Sequence, residues 1–280
     1  MPTLIDCVRW LKIIKLHNIY FNLKTFILYY KRYKIYYMKN YLHLVLTSDN
    51  EYYNEMYKIT NEYYKNFKNV KTIYYKYSST LEDDYMLDNE NNILYIKGIE
   101  SHLPGILDKT LKTFVYFKND IFEDKYDYVI RTNVSTIVNF DIMDNIIQEK
   151  NLDYGGDPLW LLTSIFPHDG IMKPEYTNIV LVQGNCIILS NSIIKEIISN
   201  INDVDMDVID DISIAIFIKF KFPHIIPQCI HNRRVTQNCN ENYCLLDDAM
   251  KHAIIQNKNI DRGIDIKQMK YMTSLYVSTA

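Results

Sequence analysis

The sequence predicts an α/β fold. We expect a mainly parallel twisted sheet flanked by helices in a single domain of residues 41–280, preceded by a basic helical extension of residues 1–40. Short apolar runs alternate with amphipathic stretches from residue 41 onward, a pattern typical of parallel strands joined by helices. Polar clusters directly follow several of these runs. Hydrophobic residues make up 48% of the 280 positions, which is enough for a sizeable core.

The first half of the domain contains three predicted strands. Tyr41–Leu46 is a short apolar run, and capping residues after it lead into a helix whose apolar face recurs at steps of three and four up to Phe67. Residues 70–77 are rich in Tyr and Ile and predict the second strand. Residues 79–92 are polar and acidic and indicate a loop, and Ile93–Lys97 is interpreted as the third strand.

The second half continues the alternation. Pro104 suits the first turn of a helix that extends to Val115, and residues 127–130 form a compact apolar strand. The remaining predicted elements are strands at 179–182 and 186–189, a helix at 193–201, a buried helix at 208–220, a strand at 224–226 and a helix at 245–256.

Ligands of such sheets bind beyond the carboxyl ends of the parallel strands, so polar clusters that follow strands are candidate site residues. Three clusters qualify: Thr47-Ser48-Asp49, residues 131–136, and Gln183-Gly184-Asn185. The sequence contains no G-x-G-x-x-G after the first strand and no G-x-x-x-x-G-K-[ST] motif. This absence disfavours classical dinucleotide and P-loop chemistry.

Five short motifs, taken in order, carry a resemblance to a known family. They are Lys109-Thr110-Leu111, Arg131-Thr132, Val138-Asn139, Gly184 with the strand and Ser190 after it, and Asp210-Asp211-Ile212. Together they resemble the β-1,3-glycosyltransferases, the galactosyltransferase and Fringe-like group, and especially the related transferases of giant DNA viruses. The resemblance covers about residues 41–235. It implies a GT-A fold and transfer of a sugar, as in a hexosyltransferase, from a nucleoside-diphosphate donor to a hydroxyl of a glycan or glycoprotein.

The resemblance and the positions of polar residues together assign candidate roles. Asp211 is the candidate general base because carboxylates remove the proton from an acceptor hydroxyl in inverting transfer. The alternative is that Asp210 and Asp211 only cap their helix. The candidate site residues are Asp211 and Asp210 for catalysis, Thr47, Asp49, Lys109, Arg131, Asn133 and Ser135 for the donor, Gly184 and Asn185 for the acceptor, and His231, Arg233 and Arg234 for phosphate.

The sequence departs from the family at the metal site. Members of the family hold a divalent cation, Mn²⁺ or Mg²⁺, with an acidic triplet, but this chain has Asn133, Val134 and Ser135 there. Hard cations need charged oxygen ligands. Three interpretations stay open: cationic side chains bind the diphosphate without metal, other residues such as Asp49 or His231 hold the metal, or the site is inactive. The last corresponds to an alternative function, a non-catalytic glycan- or nucleotide-binding protein on the same scaffold.

The first 40 residues carry eight Lys or Arg and one acid, which gives them a charge of +7. Since the net charge of the whole chain is −3, the remaining residues carry −10. Residues 1–37 contain neither a transmembrane run nor a signal peptide. They predict either a peripheral membrane contact or a helix packed on the domain, and Met38 is an alternative start. The low net charge argues against a nucleic-acid partner. The expected location is the host cytoplasm, within a viral factory, or the virion.

Overall fold

A computed structural model describes residues 39–230, 232–235, 246 and 248–279, without side chains at 232, 233 and 277–279. Residues 1–38 of the predicted extension therefore lie outside the described residues, and His231 lies outside them too. Among the described residues, no helix has the length and apolar character needed to cross a membrane.

The described strands and helices alternate along most of the chain. In order, the described strands are β1 (Tyr41–Leu46), β2 (Val70–Ser78), β3 (Tyr85–Asp88), β4 (Ile93–Lys97), β5 (Tyr128–Asn133), β6 (Thr136–Val138), β7 (Tyr154–Gly156), β8 (Leu159–Leu161), β9 (Val180–Val182), β10 (Cys186–Ser190), β11 (Gln228–Cys229), β12 (Asn232–Val235) and β13 (Ile254–Asn257). The described helices are α1 (Glu51–Tyr64), α2 (Gly105–Tyr116), α3 (Lys118–Phe122), α4 (Phe140–Lys150), α5 (Asn191–Ser199), α6 (Asp210–Lys221) and α7 (Arg262–Thr279).

Eight of these described strands form the main sheet in the order β11-β7-β10-β5-β1-β2-β4-β3. The strands β11, β7, β5, β1, β2 and β4 run in one direction, and β10 and β3 run against them. The predicted fold class, a mainly parallel sheet flanked by helices, is therefore confirmed. Among the described residues, β12, β13 and β6 form a second small sheet, and β8 and β9 pair as a hairpin.

Helices cover both faces of the main sheet because alternate residues of the central strands point to opposite sides. On β1, Tyr41 and Val45 belong to one core cluster, whereas Leu42 and Leu44 belong to the other. The first cluster also contains residues of α1, α4 and α7, and the second contains residues of α2, α3, α5 and α6. Such two-sided burial explains why the central strands read as nearly continuous apolar runs.

Helix α6 packs on two sides. Its Ile214 and Phe217 belong to the second core cluster, whereas Ile212 and Ile216 belong to a third cluster together with Leu162 and Leu181 of β9. The helix is therefore apolar nearly all round, as the sequence indicated for residues 208–220. Its two acidic residues stand at its first turn, next to the β8–β9 hairpin.

Four predicted elements need correction. The loop predicted at 79–92 contains β3, and β5 continues through Arg131 and Asn133 instead of ending at residue 130. The strand expected at 224–226 is β11, Gln228–Cys229. In the predicted helix 245–256, the last residues belong to strand β13 instead, because a short apolar run fits either state and the partners β12 and β6 decide it.

Candidate active site

The polar clusters meet at one edge of the main sheet. Strand β5 lies between β1 and β10, with Leu46 beside Asn133 and Cys186 beside Thr132 in register. The loop after β5 folds toward β1, where the Val134 N–H donates to the carbonyl of Leu46 at 3.1 Å. The ends of β1 and β5 and the start of the antiparallel β10 therefore share this edge. The Gln183-Gly184-Asn185 cluster reaches it because it precedes β10, since the strand it follows, β9, lies outside the main sheet.

A cleft of about 460 Å³ opens at this edge. Its lining includes four of the predicted donor residues, Thr47, Lys109, Asn133 and Ser135. It also includes residues that sequence reasoning did not single out, namely Tyr53, Glu100, His102 and Arg262. The volume lies in the range of small-molecule sites.

Lys109 is the buried cation of the cleft. Helix α2 places its Nζ 2.5 Å from Glu100 Oε2 and 3.4 Å from the carbonyl oxygen of Thr47. Burial lowers the pKa of Lys109, and the negative charge of Glu100 opposes that shift. Arg262, at the start of α7, adds a second positive charge and pairs with Asp265 at 2.5 Å. The cleft therefore combines two cations, each paired with a carboxylate, with the aromatic ring of Tyr53. The N–H groups of these cations are donors of the kind from which a nucleoside diphosphate accepts hydrogen bonds.

Two predicted donor residues do not line this cleft. The Asp49 carboxylate pairs with Lys76 Nζ at 2.5 Å, and its side chain is 73% exposed. Arg131 is fully enclosed, and its Nη2 lies 2.7 Å from Asp210 Oδ2. Its Nη1 donates to Asn133 Oδ1 at 2.9 Å and to the Gly184 carbonyl oxygen. The positive charge of Arg131 is thus compensated inside the protein, behind the cleft wall.

Asp210 and Asp211 open helix α6 but have different surroundings. Asp210 is buried against Arg131, with 3% of its side chain exposed. Asp211 accepts hydrogen bonds from the Gly184 N–H at 2.9 Å and from the Ile212 N–H at 2.8 Å. Burial and the neighbouring Asp210 carboxylate raise the pKa of Asp211 to about 6, although the Gly184 N–H and Arg131 oppose the shift. A carboxylate with such a pKa is suited to accept a proton near neutral pH.

Asp211 borders a second cavity of about 290 Å³. This second cavity is lined by residues of β8, of the loop that joins β8 to β9, and of the segment around β9, including Trp160, Phe166, Asp169 and Gln183. Trp160 is 52% exposed and Phe166 is 63% exposed. Exposed aromatic rings beside a carboxylate offer an apolar face together with a proton acceptor, a combination that suits a sugar ring with a free hydroxyl.

A chain of polar contacts joins the two cavities. It runs from Asn133, on the wall of the 460 Å³ cleft, to Arg131, then to Gly184, and finally to Asp211 on the wall of the 290 Å³ cavity. A Cβ atom on Gly184 would lie 3.2 Å from Arg131 Nη1 and 3.5 Å from Asp211 Oδ2. The absence of a side chain at Gly184 therefore lets its backbone fit between the guanidinium and the carboxylate.

The remaining candidate residues, Asn185, Arg233 and Arg234, do not line either cavity. Asn185 is half-buried, and its Nδ2 lies 3.5 Å from Gln183 Oε1, near the second cavity. Arg233 and Arg234 lie on β12, opposite Ile255 and Gln256 of β13, and the Arg234 side chain is exposed. The lining of the two cavities includes neither arginine.

The cleft residues that the sequence did not predict come from segments without a motif or a clear apolar periodicity. Glu100 and His102 follow β4 in a loop between predicted elements, and Arg262 begins α7, a helix the sequence pattern did not predict. Helix α7 lacks a clear apolar stripe, so its periodicity is weak. Only the packed structure brings these three residues to the end of β1.

Comparisons with known proteins leave the family of this chain open. No protein-family model matches the sequence, and no curated protein matches it. Among solved structures, the chain is similar to one described as the crystal structure of a glycosyltransferase involved in the glycosylation of the major capsid of PBCV-1. The identity is 10%, the match covers 83% of this chain and 99% of that chain, and the TM-score is 0.43.

Proposed function

We propose that this protein is a glycosyltransferase that moves a sugar from a nucleoside-diphosphate donor to a hydroxyl of a glycan or glycoprotein acceptor, with inversion. The observation that carries the proposal is the placement of Asp211. This carboxylate has a pKa raised to about 6, lies on the wall of the 290 Å³ cavity, and is linked through Gly184 and Arg131 to the 460 Å³ cleft that contains Lys109 and Arg262.

The 460 Å³ cleft is the proposed donor site. Lys109 and Arg262, each also paired with a carboxylate, would donate charge-assisted hydrogen bonds to the diphosphate, and the Tyr53 ring offers an apolar face to the nucleoside. In this assignment Thr47, Asn133 and Ser135 surround the donor with short polar side chains. Arg131 is a positioning residue, since its charge is compensated by Asp210 and it acts on the site through Asn133 and Gly184.

The proposed chemistry is a single displacement. The acceptor hydroxyl loses its proton to Asp211 while its oxygen forms a bond to the anomeric carbon, and the bond from that carbon to the donor phosphate oxygen breaks. The nucleoside diphosphate leaves with the electron pair, and hydrogen bonds from Lys109 and Arg262 stabilise it. The Gly184 N–H holds Asp211 Oδ2 in place. The carboxylate then releases its proton to water.

The 290 Å³ cavity is the proposed acceptor site. Trp160 and Phe166 present exposed rings there, and Gln183 adds a polar group on the same wall. Because Asp211 borders this cavity, an acceptor hydroxyl that enters it would face the base directly. Gly184 is part of the chain of contacts that leads to the donor cleft, and Asn185 contacts Gln183 on the wall of this cavity.

A second function is supported by one specific observation. Residues 133–135 offer no carboxylate to a metal-bound donor, as expected for a protein that binds nucleotides or glycans without catalysis. The test is to incubate the purified full-length protein with a panel of nucleotide sugars and a mixture of glycan acceptors, with and without added divalent cations, and to measure released nucleoside diphosphate. Release that depends on Asp211 supports the transferase. Donor binding with no release under any condition would overturn it in favour of the binding protein.

A further inference from the structure

Two histidines and one aspartate converge at the edge of the site, outside the residues assigned above to catalysis. His102 Nε2 lies 2.9 Å from Asp169 Oδ1, and His168 Nε2 lies 3.5 Å from Asp169 Oδ2. One ligand atom from each of the three residues lies within 4.8 Å of the other two. His102 follows β4, whereas the other two residues belong to the loop after β8, so the cluster is formed by folding.

The backbone fixes this cluster relative to the candidate base. The carbonyl oxygen of Asp169 accepts a hydrogen bond from the Ile209 N–H at 2.8 Å, directly before Asp210. Gly170 forms a bridge to Val208 and has a φ of +135°, and a Cβ there would lie 2.4 Å from the carbonyl oxygen of Asp207. Only glycine fits this backbone without strain, so the loop that carries Asp169 is tied to the start of α6.

The cluster also lies between the two cavities. His102 belongs to the wall of the 460 Å³ cleft, and Asp169 belongs to the wall of the 290 Å³ cavity. The side chains of His102 and His168 are 48% and 70% exposed, so both rings are accessible from solvent. The Phe166 ring stacks on His168, with centroids 5.7 Å apart and planes 16° apart, which restricts the orientation of this imidazole.

We propose that His102, His168 and Asp169 bind a first-row transition-metal dication. Two imidazole nitrogens and one carboxylate oxygen form a mixed donor set that suits Zn²⁺, Co²⁺ or Mn²⁺ better than Mg²⁺ or Ca²⁺, which prefer oxygen ligands alone. Three protein ligands leave at least one coordination position open for water or substrate. The ion would replace the direct contacts of both imidazoles with Asp169.

The position of the ion gives it a role if the proposed function holds. Its open coordination positions would lie at the boundary between the donor cleft and the acceptor cavity, where a donor diphosphate would reach it. The ion would then stabilise the leaving nucleoside diphosphate as a Lewis acid. This arrangement would supply the metal without any carboxylate at Asn133, Val134 or Ser135, and it differs from the alternative ligands Asp49 and His231.

Metal binding can be measured directly on the full-length protein without any donor. The protein is freed of metal with a chelator and titrated with Zn²⁺ in a calorimeter, and Co²⁺ is added separately to record its visible absorption bands. The expected result is a stoichiometry of one ion bound per protein chain. In both His168→Gln and Asp169→Asn, the Zn²⁺ affinity should fall by more than about 100-fold, since the loss of a ligand exceeds the effect of losing a supporting hydrogen bond.

His224→Gln is the matched control, since His224 is exposed and lies outside the cluster. This variant should bind Zn²⁺ as the parent does, and melting curves should show that all three variants remain folded. Equal affinity in the parent, His168→Gln and Asp169→Asn would overturn the proposal, because any ion would then be bound elsewhere. No binding by the parent would overturn it as well.

The outcome is separable from that of the transferase proposal. If Zn²⁺ binds through this cluster but no nucleotide sugar is cleaved, the metal site stands and the proposed function fails. If sugar transfer persists in excess chelator and the cluster binds no ion, the transferase stands and the metal site fails.

Discussion

The Arg131 guanidinium and the Asp210 carboxylate lie 2.7 Å apart as an ion pair whose side chains are 2% and 3% exposed. The pair joins the middle of β5 to the first turn of α6 and holds Gly184 against Asp211. Two neighbouring aspartates thereby acquire different roles. Asp210 compensates a buried charge, which leaves Asp211 as the carboxylate that borders a cavity.

The Arg131–Asp210 pair predicts a large effect of Asp210→Asn on stability. The substitution leaves the guanidinium without a compensating charge in the interior, so the free energy of unfolding should fall by about 3–5 kcal/mol. Urea denaturation followed by circular dichroism measures the change. Combining Asp210→Asn with Arg131→Met should recover part of the loss, because the uncompensated charge is then removed.

The exposed pair Asp203–Lys221 is the control for that experiment. These residues also lie at and near α6, 2.7 Å apart, but their side chains are 55% and 37% exposed. Asp203→Asn should therefore change stability by no more than about 1 kcal/mol. If Asp203→Asn and Asp210→Asn have equal effects, the buried pair has no special role in holding α6.

Asp211→Asn should abolish most of the turnover while donor binding survives. Without a proton acceptor beside the acceptor hydroxyl, kcat should fall by about 10²–10⁴-fold. Nucleoside-diphosphate affinity, measured by calorimetry, should stay within about threefold of the parent because Asp211 does not line the donor cleft. Asp207→Asn, at an exposed carboxylate in the same segment, is the control and should leave kcat unchanged.

The pH profile of transfer should have an acid limb near pH 6. Burial and Asp210 raise the pKa of Asp211 to about 6, and the base accepts a proton only in its ionised form. Activity should therefore drop as the pH falls below about 6 and level off above about 7. A profile of kcat/KM from pH 4.5 to 8 checks this. An acid limb near pH 4 would instead indicate a base with an ordinary carboxylate pKa.

The same raised pKa predicts the sign of a stability effect. Asp211 binds its proton more tightly in the folded protein than in the unfolded chain. Its contribution to the stability of the fold is therefore lost as the pH rises from about 4 to 6. The change in urea midpoint from pH 4.5 to pH 7 should thus be more favourable to the folded state in Asp211→Asn than in the parent. An identical pH dependence in the two proteins would show that Asp211 titrates normally.

Local sequence patterns were sufficient for β1, β2, β4, β9 and β10 and for the start of β5, but not for β3, β11 or β13. Strands β1, β2 and β4 could be predicted because each is a short apolar run followed by polar residues. The acidic pair at 210–211 was readable because it opens an apolar helix. The sequence predicted a mainly parallel sheet but not the order of its strands, since no local pattern determines that β10 lies between β5 and β7.

The pairing of distant residues could not be read from the sequence. Arg131 and Asp210 are separated by many elements, and so are His102 and Asp169, yet each pair meets within hydrogen-bonding distance. Such contacts depend on how α6 and the loop after β8 pack against the sheet edge. For the same reason Arg131 was assigned to the donor from its place after a strand, whereas packing places it behind the cleft wall.

The acceptor cavity predicts a selective effect of Trp160→Ala. Loss of an exposed ring that packs on a sugar should raise the acceptor KM by about tenfold, equivalent to about 1.4 kcal/mol, and leave donor affinity unchanged. Initial rates at varied acceptor concentration measure it. Phe220→Ala removes an equally exposed ring, 57% exposed, that does not line this cavity. The two variants should therefore differ, and similar KM values would place the acceptor elsewhere.

The donor cleft predicts that Lys109→Met weakens nucleoside-diphosphate binding. The Lys109 side chain is 3% exposed and lines the cleft. A charge-assisted hydrogen bond from it to phosphate is worth about 1.5–3 kcal/mol, so Kd should rise by about 10–100-fold. Calorimetric titration with uridine diphosphate or guanosine diphosphate measures the change. Lys112→Met is the matched control on α2, because Lys112 is 41% exposed and pairs with Asp108 away from the cleft. If both variants bind the nucleotide as tightly as the parent does, the diphosphate does not reach Lys109 and the donor assignment of this cleft is wrong.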